Sequence, residues 1–403
     1  MLETPIILNK QKIKNRVMKA AMSEALGSRE HAPTEKLITL YRTWAHGGAG
    51  LLITGNVMVS AKALGEPGNV VVEDERHLDL LKTWASASKE NGARCWMQIN
   101  HPGKQVFKGV VNEAVAPSEV PFSKDLQRFF PKARALTEQE IITIAEKFGE
   151  TARIARKAGF DGIQIHGAHG YLISQFLSPK HNIRQDQWGG SLENRSRFLF
   201  TVLNCVREAA GTDFPVSVKL NAADFLKGGF SMEDSLTVVK KLAGAGVDLV
   251  EVSGGTYENP EMTGLSHQSS KREAYFLSFA ESVKRELPNL PLAVTGGFRT
   301  RAGMEEALSS RAADMIGMAR PLAVYPDLPL KLFKRNVDGV TMDRKKTGIP
   351  FIDQKAMLEL AWYSLQLERI GKGKAALPQM SARKALVKAV IKNGTEVFKK
   401  RRS

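Results

Sequence analysis

Apolar residues recur along this chain in short runs bounded by glycine or polar turns, and longer stretches with helical spacing lie between them. Eight runs read as buried strands: NRVMKAAM (15–22), GLLITGNV (50–57), RCWMQIN (94–100), GFDGIQIH (159–166), PVSVKLN (215–221), VDLVEVSG (247–254), PLAVTGGF (291–298) and ADMIGMAR (313–320). The intervening segments, such as EQEIITIAEKFGETARIARKAG (138–159) and MEDSLTVVKKLAGAG (232–246), carry apolar residues at helical spacing and end in glycine, a common helix stop. Near-continuous apolar strands alternating with amphipathic helices predict a parallel sheet covered by helices. Eight such units predict an α/β fold of the (β/α)8 TIM-barrel type. A doubly wound sheet would place a glycine-rich dinucleotide turn after its first strand, and SEALGSREHAPT is not one.

Three pieces fall outside this rhythm. Residues 3–14 predict an N-terminal hairpin turning at Asn9-Lys10, placed to cap the barrel floor. Residues 101–136, after the third strand, are too long for an ordinary strand–helix connection and predict a lid insertion. The pattern divides the chain into a barrel over 1–330 and a helical extension with a basic tail over 331–403.

Composition changes this picture little. With 43% hydrophobic and 25% charged residues the chain is an ordinary globular protein, without a run long enough to span a bilayer and without a signal-peptide pattern at its start. Its two cysteines, Cys95 and Cys205, sit in apolar runs, which argues for a reducing, cytoplasmic setting and against an iron–sulfur cluster. The net charge of +16 is unevenly placed: residues 372–403 hold ten Lys or Arg against Glu396 alone, so this segment carries +9. The basic character therefore belongs mainly to the tail. That tail could lie on an acidic membrane surface or bind nucleic acid; a solvated basic helix is the plainer reading, and no nucleic-acid partner is expected. The oligomeric state is left open.

Active sites of such barrels lie at the C-terminal ends of the strands. The first strand ends in Ala20, Ala21, Met22 and Ser23, the second in Thr54, Gly55 and Asn56, and the third in Gln98, Asn100 and His101. The fourth ends in His166, His169 and Tyr171, and the fifth in Lys219 and Asn221. SGGTY ends the sixth, Gly296 and Gly297 the seventh, and Ala319 and Arg320 the eighth. Small residues and an arginine after strands 7 and 8 suit a phosphate. An amide, two imidazoles, a phenol and an amine on strands 3–5 suit a flat polar heterocycle carrying that phosphate on an arm. On their own, the two histidines could instead ligate a metal or pack structurally, although no cysteine or carboxylate stands beside them in the pattern.

The segment GFDGIQIHGAHGYLISQFLSPKHNIRQDQWGGSLENRSRF (159–198), with NRVMKAAM, WMQINHPGKQ, VSVKLN, VTGGF and ADMIGMARPL, resembles the Old Yellow Enzyme family of FMN-dependent ene reductases over most of residues 3–330. The resemblance implies an FMN-containing oxidoreductase that uses NADPH or NADH to reduce the C=C bond of α,β-unsaturated carbonyl compounds, small enones or enals. It implies that Ala20, Ala21 and Met22 lie against the flavin and that Gly55 and Gln98 bond its pyrimidine edge. Lys219 would place positive charge at N1 and O2, and Gly296, Gly297, Ala319 and Arg320 would bind the phosphate. His166 and His169 would hold the substrate carbonyl, Tyr171 would supply a proton, and no metal is implied. Both reactants would use one pocket in turn. Three positions depart from the family's usual residues: Lys219 where Arg is usual, Ser23 where Thr or Cys often stands near O4, and Ala319 for glycine. The rivals are a flavin subunit or branch member related to dienoyl-CoA reductase, and a basic non-enzymatic binding protein on a barrel scaffold.

Overall fold

The computed structural model describes residues 1–124, 126–256, 258, 273–343, 345–348 and 357–388. Eight parallel strands close a barrel: β1 (Val17–Lys19), β2 (Leu51–Ile53), β3 (Arg94–Asn100), β4 (Gly162–Gly167), β5 (Val216–Asn221), β6 (Leu249–Ser253), β7 (Leu292–Thr295) and β8 (Met315–Met318). Each falls within one of the apolar runs or overlaps it. The barrel closes where Ile316, Gly317 and Met318 of β8 pair with Val17, Met18 and Lys19 of β1.

The helices α1 (Glu35–His46), α2 (Leu78–Ser88), α3 (Glu138–Lys157), α4 (Leu192–Ala210), α5 (Met232–Gly244), α6 (Leu277–Glu286) and α7 (Arg301–Ser309) follow their strands in turn. Local chemistry fixes several starts: Thr34, Ser191, Ser231 and Thr300 cap helix N-termini, and Thr137 with Glu140 forms a capping box on α3. Beyond β8 come two short helices, Arg320–Val324 and Leu328–Phe333, and then α8 (Met357–Gly371), which packs on α1 and on the helix at Arg320. The part of the basic tail over 389–403 lies outside the described residues. No helix among the described residues is long and apolar enough to cross a membrane.

Strand alternation sorts the buried side chains into two cores. Residues such as Cys95, Met97, Ile99, Ile163, Ile165, Val216 and Val218 face the helices. Met18, Leu51, Trp96, Leu249, Ala293 and Met315 fill the barrel interior, together with Leu8 and Ile13 of the N-terminal hairpin. That hairpin pairs Ile6–Leu8 with Gln11–Ile13, and both Asn9 (φ 43°) and Lys10 (φ 64°) are left-handed, as a two-residue I′ turn requires. Gln11 donates to Asp161 O at 2.6 Å and accepts from Trp96 Nε1 at 3.4 Å, so the hairpin is tied to the barrel floor.

The described residues of the insertion over 101–136 are folded rather than loose. Ala114–Ala116 pairs in parallel with Ala133–Ala135 over a small apolar nucleus that includes Val106. The Lys104 ammonium is buried beneath it, donating to Val120 O at 2.8 Å and lying 3.1 Å from His181 Nδ1. His181 Nε2 in turn sits 3.1 Å from Glu258 Oε2, and Glu258 Oε1 accepts from Ser123 N at 3.1 Å. These contacts join the insertion to the segment after β4 and to the loop after β6.

Candidate active site

The barrel interior changes character from floor to mouth. Above the apolar layer, the inward positions of four adjacent strands are polar: Gln98 on β3, Gln164 on β4, Lys219 on β5 and Glu251 on β6, each 2% exposed or less. Their side chains form a chain. Gln98 Nε2 donates to Gln164 Oε1 at 2.7 Å, and Gln164 Nε2 donates to Glu251 Oε2 at 2.8 Å. Glu251 Oε1 pairs with Lys219 Nζ at 2.9 Å and has no other partner. Lys219 and Glu251 are direct cross-strand neighbours.

His166 follows Gln164 on the inward face of β4. Its Nδ1 accepts from Ala168 N at 3.3 Å, which leaves the proton of the neutral ring on Nε2, free to be donated into the mouth. The imidazole of His169 lies edge-on to that of His166 with centroids 5.3 Å apart, and the Tyr171 ring lies 4.9 Å from His166. His169 adopts φ +60°, held by its N–H to Asn221 Oδ1 at 3.1 Å, and its Nε2 lies 2.8 Å from Ser253 Oγ. If Ser253 donates to Nε2, the His169 Nδ1–H becomes a second donor. Burial, with the Lys219 charge nearby, pushes both imidazoles well below the ordinary histidine range, so both are neutral at pH 7. The three sequence-predicted catalytic residues therefore stand together. Among the described residues no group of three His, Cys, Asp or Glu side chains gathers to hold a metal.

The remaining predicted positions ring this cluster. Ala20 is buried at the end of β1, its N–H bonded to Met318 O, and Met22 packs on the outer core. Ser23 Oγ reaches Asn56 Oδ1 at 3.4 Å. At Gly55 the structure adds a constraint: its N–H donates to Tyr41 Oη at 2.8 Å and is thus engaged within the protein. A Cβ there would fall 1.8 Å from Glu24 Oε2 and 2.3 Å from Met22 O, so only glycine fits. Glu24, Tyr41 and Lys19 form a buried cluster behind β1, with Lys19 Nζ donating to Glu24 (3.1 Å), Tyr41 (3.2 Å) and Ile53 O (2.8 Å). Gly296 (φ 131°) and Gly297 (φ 89°) turn the backbone at the end of β7, where Tyr275 and Phe276 pack close. Ala319 precedes the short helix that Arg320 opens, and Arg320 Nη1 lies 3.8 Å from Glu359 Oε2 on α8.

Sequence reasoning missed Gln164, Glu251 and the Lys19–Glu24–Tyr41 cluster, and named Ser253 only within the SGGTY strand end. One signal was available: Glu251 is an acid in the middle of the apolar run VDLVEVSG, where a fully buried strand tolerates a charge only with a partner.

The mouth suits FMN by its own chemistry. Buried polar groups are normally satisfied, yet both polar atoms of the Asn100 amide and the Thr295 hydroxyl are buried without partners, at the tops of β3 and β7. The glycines at 296 and 297 expose backbone beside Thr295, and Lys219 supplies a cation. An acceptor-rich ring with one N–H, a ribityl chain and a phosphate would occupy such a set.

The sequence profile described as the NADH:flavin oxidoreductase / NADH oxidase family matches residues 1–338. An "NADH-dependent flavin oxidoreductase iliE" of Hypocrea jecorina (strain QM6a) is 37% identical over 338 residues, covering 78% of this chain and 84% of its own. NADPH dehydrogenases of Geobacillus are among the further relatives. A 2-naphthoyl-CoA reductase complex superposes with a TM-score of 0.76 at 28% identity, over 83% of this chain, which spans 52% of that longer one. An Old Yellow Enzyme homologue from Zymomonas mobilis superposes with a TM-score of 0.72 at 27% identity, covering 85% of this chain and 94% of that one.

Proposed function

Because the chain belongs to the NADH:flavin oxidoreductase / NADH oxidase family, and is thus an FMN-dependent enzyme that draws electrons from NADH or NADPH, we propose that it reduces the C=C bond of α,β-unsaturated carbonyl compounds. The observation that carries this reading is the grouping of two neutral imidazoles and a phenol at the barrel mouth, with the His166 ring 5.3 Å from His169 and 4.9 Å from Tyr171. Bound FMN would supply the two-electron transfer between nicotinamide and substrate. His166 Nε2–H and His169 Nδ1–H would hold the carbonyl oxygen, where negative charge grows as the β-carbon accepts hydride. Neutral imidazoles can do this because each carries one N–H to give. Tyr171 Oη would deliver a proton to the α-carbon, completing addition of hydride and proton across the bond, and would recover its own from water.

The assignment of FMN contacts follows the same logic. Ala20, Ala21, Met22 and Ser23 would border the ring, Gln98 and the backbone around Gly55 would meet the pyrimidine edge, and Lys219 would stand at N1 and O2. Gly296, Gly297, Ala319 and Arg320 would hold the phosphate. The folded 101–136 segment would cover the site. A physiological setting in the cytoplasm is consistent with the unpaired Cys95 and Cys205.

The test is anaerobic rapid mixing. NADPH or NADH should bleach the yellow protein, and 2-cyclohexenone should restore the colour. Tyr171→Phe should slow the second phase by about 10²–10⁴-fold and leave the first unchanged, the usual worth of general-acid help. Recolouring at an unchanged rate in that variant would refute the role of Tyr171, and failure of the wild type to recolour would refute the substrate class.

A further inference from the structure

We infer that Glu251 is a positioning residue that sets the reducing power of the bound FMN, by neutralising the cation at Lys219 and holding Gln164 against Gln98. The inference rests on the reading that places Lys219 at the N1–O2 edge of FMN.

Four features of the structure support it. Glu251 is fully enclosed and reaches two of the polar inward residues, Lys219 Nζ at 2.9 Å and Gln164 Nε2 at 2.8 Å. It stands directly across from Lys219 on the neighbouring strand, so the two side chains leave the sheet together. The two imidazoles beside Lys219 are neutral, so they add no charge to the mouth. Among the described residues near β1, the buried charges Lys19 and Glu24 are paired with each other at 3.1 Å. The mouth thus holds a paired cation rather than a lone one.

The electrostatic consequence follows from the half-reaction. When FMN is reduced, two electrons and one proton enter and one negative charge remains on the N1–O2 edge. A lone buried cation stabilises that charge strongly, because the local dielectric is low. A cation already paired with a carboxylate stabilises it less. Reduced FMN is then held less tightly relative to the oxidised form, the potential is lower, and the enzyme is a stronger reductant toward its substrate. A pair that merely holds β5 to β6 would not move the potential.

The measurement is the two-electron potential of bound FMN, followed by dye-linked spectral titration of the holoenzyme. Glu251→Gln keeps a hydrogen-bonding side chain of similar size and exposes the Lys219 charge. It should favour reduced over oxidised FMN by at least tenfold, which is about 30 mV upward for a two-electron couple. The double variant Lys219→Gln/Glu251→Gln removes both charges and should fall back to the wild-type value or below. An unchanged or lowered potential in Glu251→Gln, or a double variant as high as the single one, would overturn the inference. Lys219→Gln alone separates the two levels of the argument. If it leaves the potential unchanged, the placement of Lys219 beside FMN fails. If it lowers the potential while Glu251→Gln does not raise it, only the role of Glu251 fails. Should Glu251→Gln not retain FMN, Glu251→Asp preserves the charge and should keep the wild-type potential; a tenfold shift there would equally overturn the inference.

Discussion

Replacing Lys19 with methionine tests how the strand end that borders the site is held. Lys19 is fully buried, and its ammonium has three acceptors within 3.2 Å: Glu24 Oε1, Tyr41 Oη and Ile53 O. It also lies 4.3 Å from the centroid of the Trp44 ring. Methionine fills much the same volume but offers no donor. Glu24 would keep only the Tyr41 hydroxyl, at 2.7 Å, and its charge would stay buried at 7% exposure without a counter-ion. Removing one partner of a buried ion pair costs about 3–5 kcal/mol. The orphaned Ile53 carbonyl adds about 1–3 kcal/mol, which the apolar thioether partly offsets. A net loss of at least about 3–5 kcal/mol is expected. The double variant Lys19→Met/Glu24→Leu removes both charges and should recover most of it, since an apolar pair of similar volume is often as stable as a buried ion pair. Urea unfolding of the FMN-free protein, followed by far-ultraviolet circular dichroism, measures this without the contribution of bound cofactor. A single variant that loses less than about 1 kcal/mol, or a double variant that loses as much as the single one, would refute the reasoning.

Two further outcomes follow from buried groups elsewhere. Burial pushes the Lys104 ammonium down to about 8 from its ordinary 10.5, so between those values the unfolded chain binds the extra proton. The wild type should therefore gain stability relative to Lys104→Met as pH rises from about 8 to about 10.5, by up to about 3 kcal/mol, with a constant difference below pH 8; paired urea titrations at pH 7 and pH 10 check the sign. Gly317→Ala should destabilise the barrel by about 1–3 kcal/mol, the usual cost of overpacking. Its new Cβ would meet Thr295 Oγ1 at 1.8 Å and Thr295 Cβ at 2.9 Å, and a thermal midpoint equal to the wild type would contradict this.

The architecture was legible because a closed parallel barrel writes itself locally. Each apolar run became a strand, EQEIITIAEKFGETARIARKAG became α3 with its capping box, and Asn9-Lys10 became the left-handed turn of the floor hairpin. His166, His169 and Tyr171 were legible because they crowd the end of one strand. The polar chain across β3–β6 was not, since Gln98, Gln164, Lys219 and Glu251 are far apart in sequence and meet only through strand register. The same holds for Tyr41, which looks like a core aromatic of α1 until its hydroxyl is seen beneath Gly55. The sequence places Gly55 at the end of β2, but does not show which neighbour already takes its hydrogen bond.

The left-handed backbone at His169 has an evolutionary consequence. A histidine at φ +60° carries a strain of about 1 kcal/mol that glycine would not, and its neighbour Gly170, at φ +79°, shows the preferred solution. The ring at that position packs edge-on to His166 and reaches Ser253 Oγ at 2.8 Å, at the barrel mouth. Selection for thermal tolerance alone, with catalysis unselected, should drive residue 169 toward glycine. Under the role proposed for His169, what binds at the mouth offsets that strain.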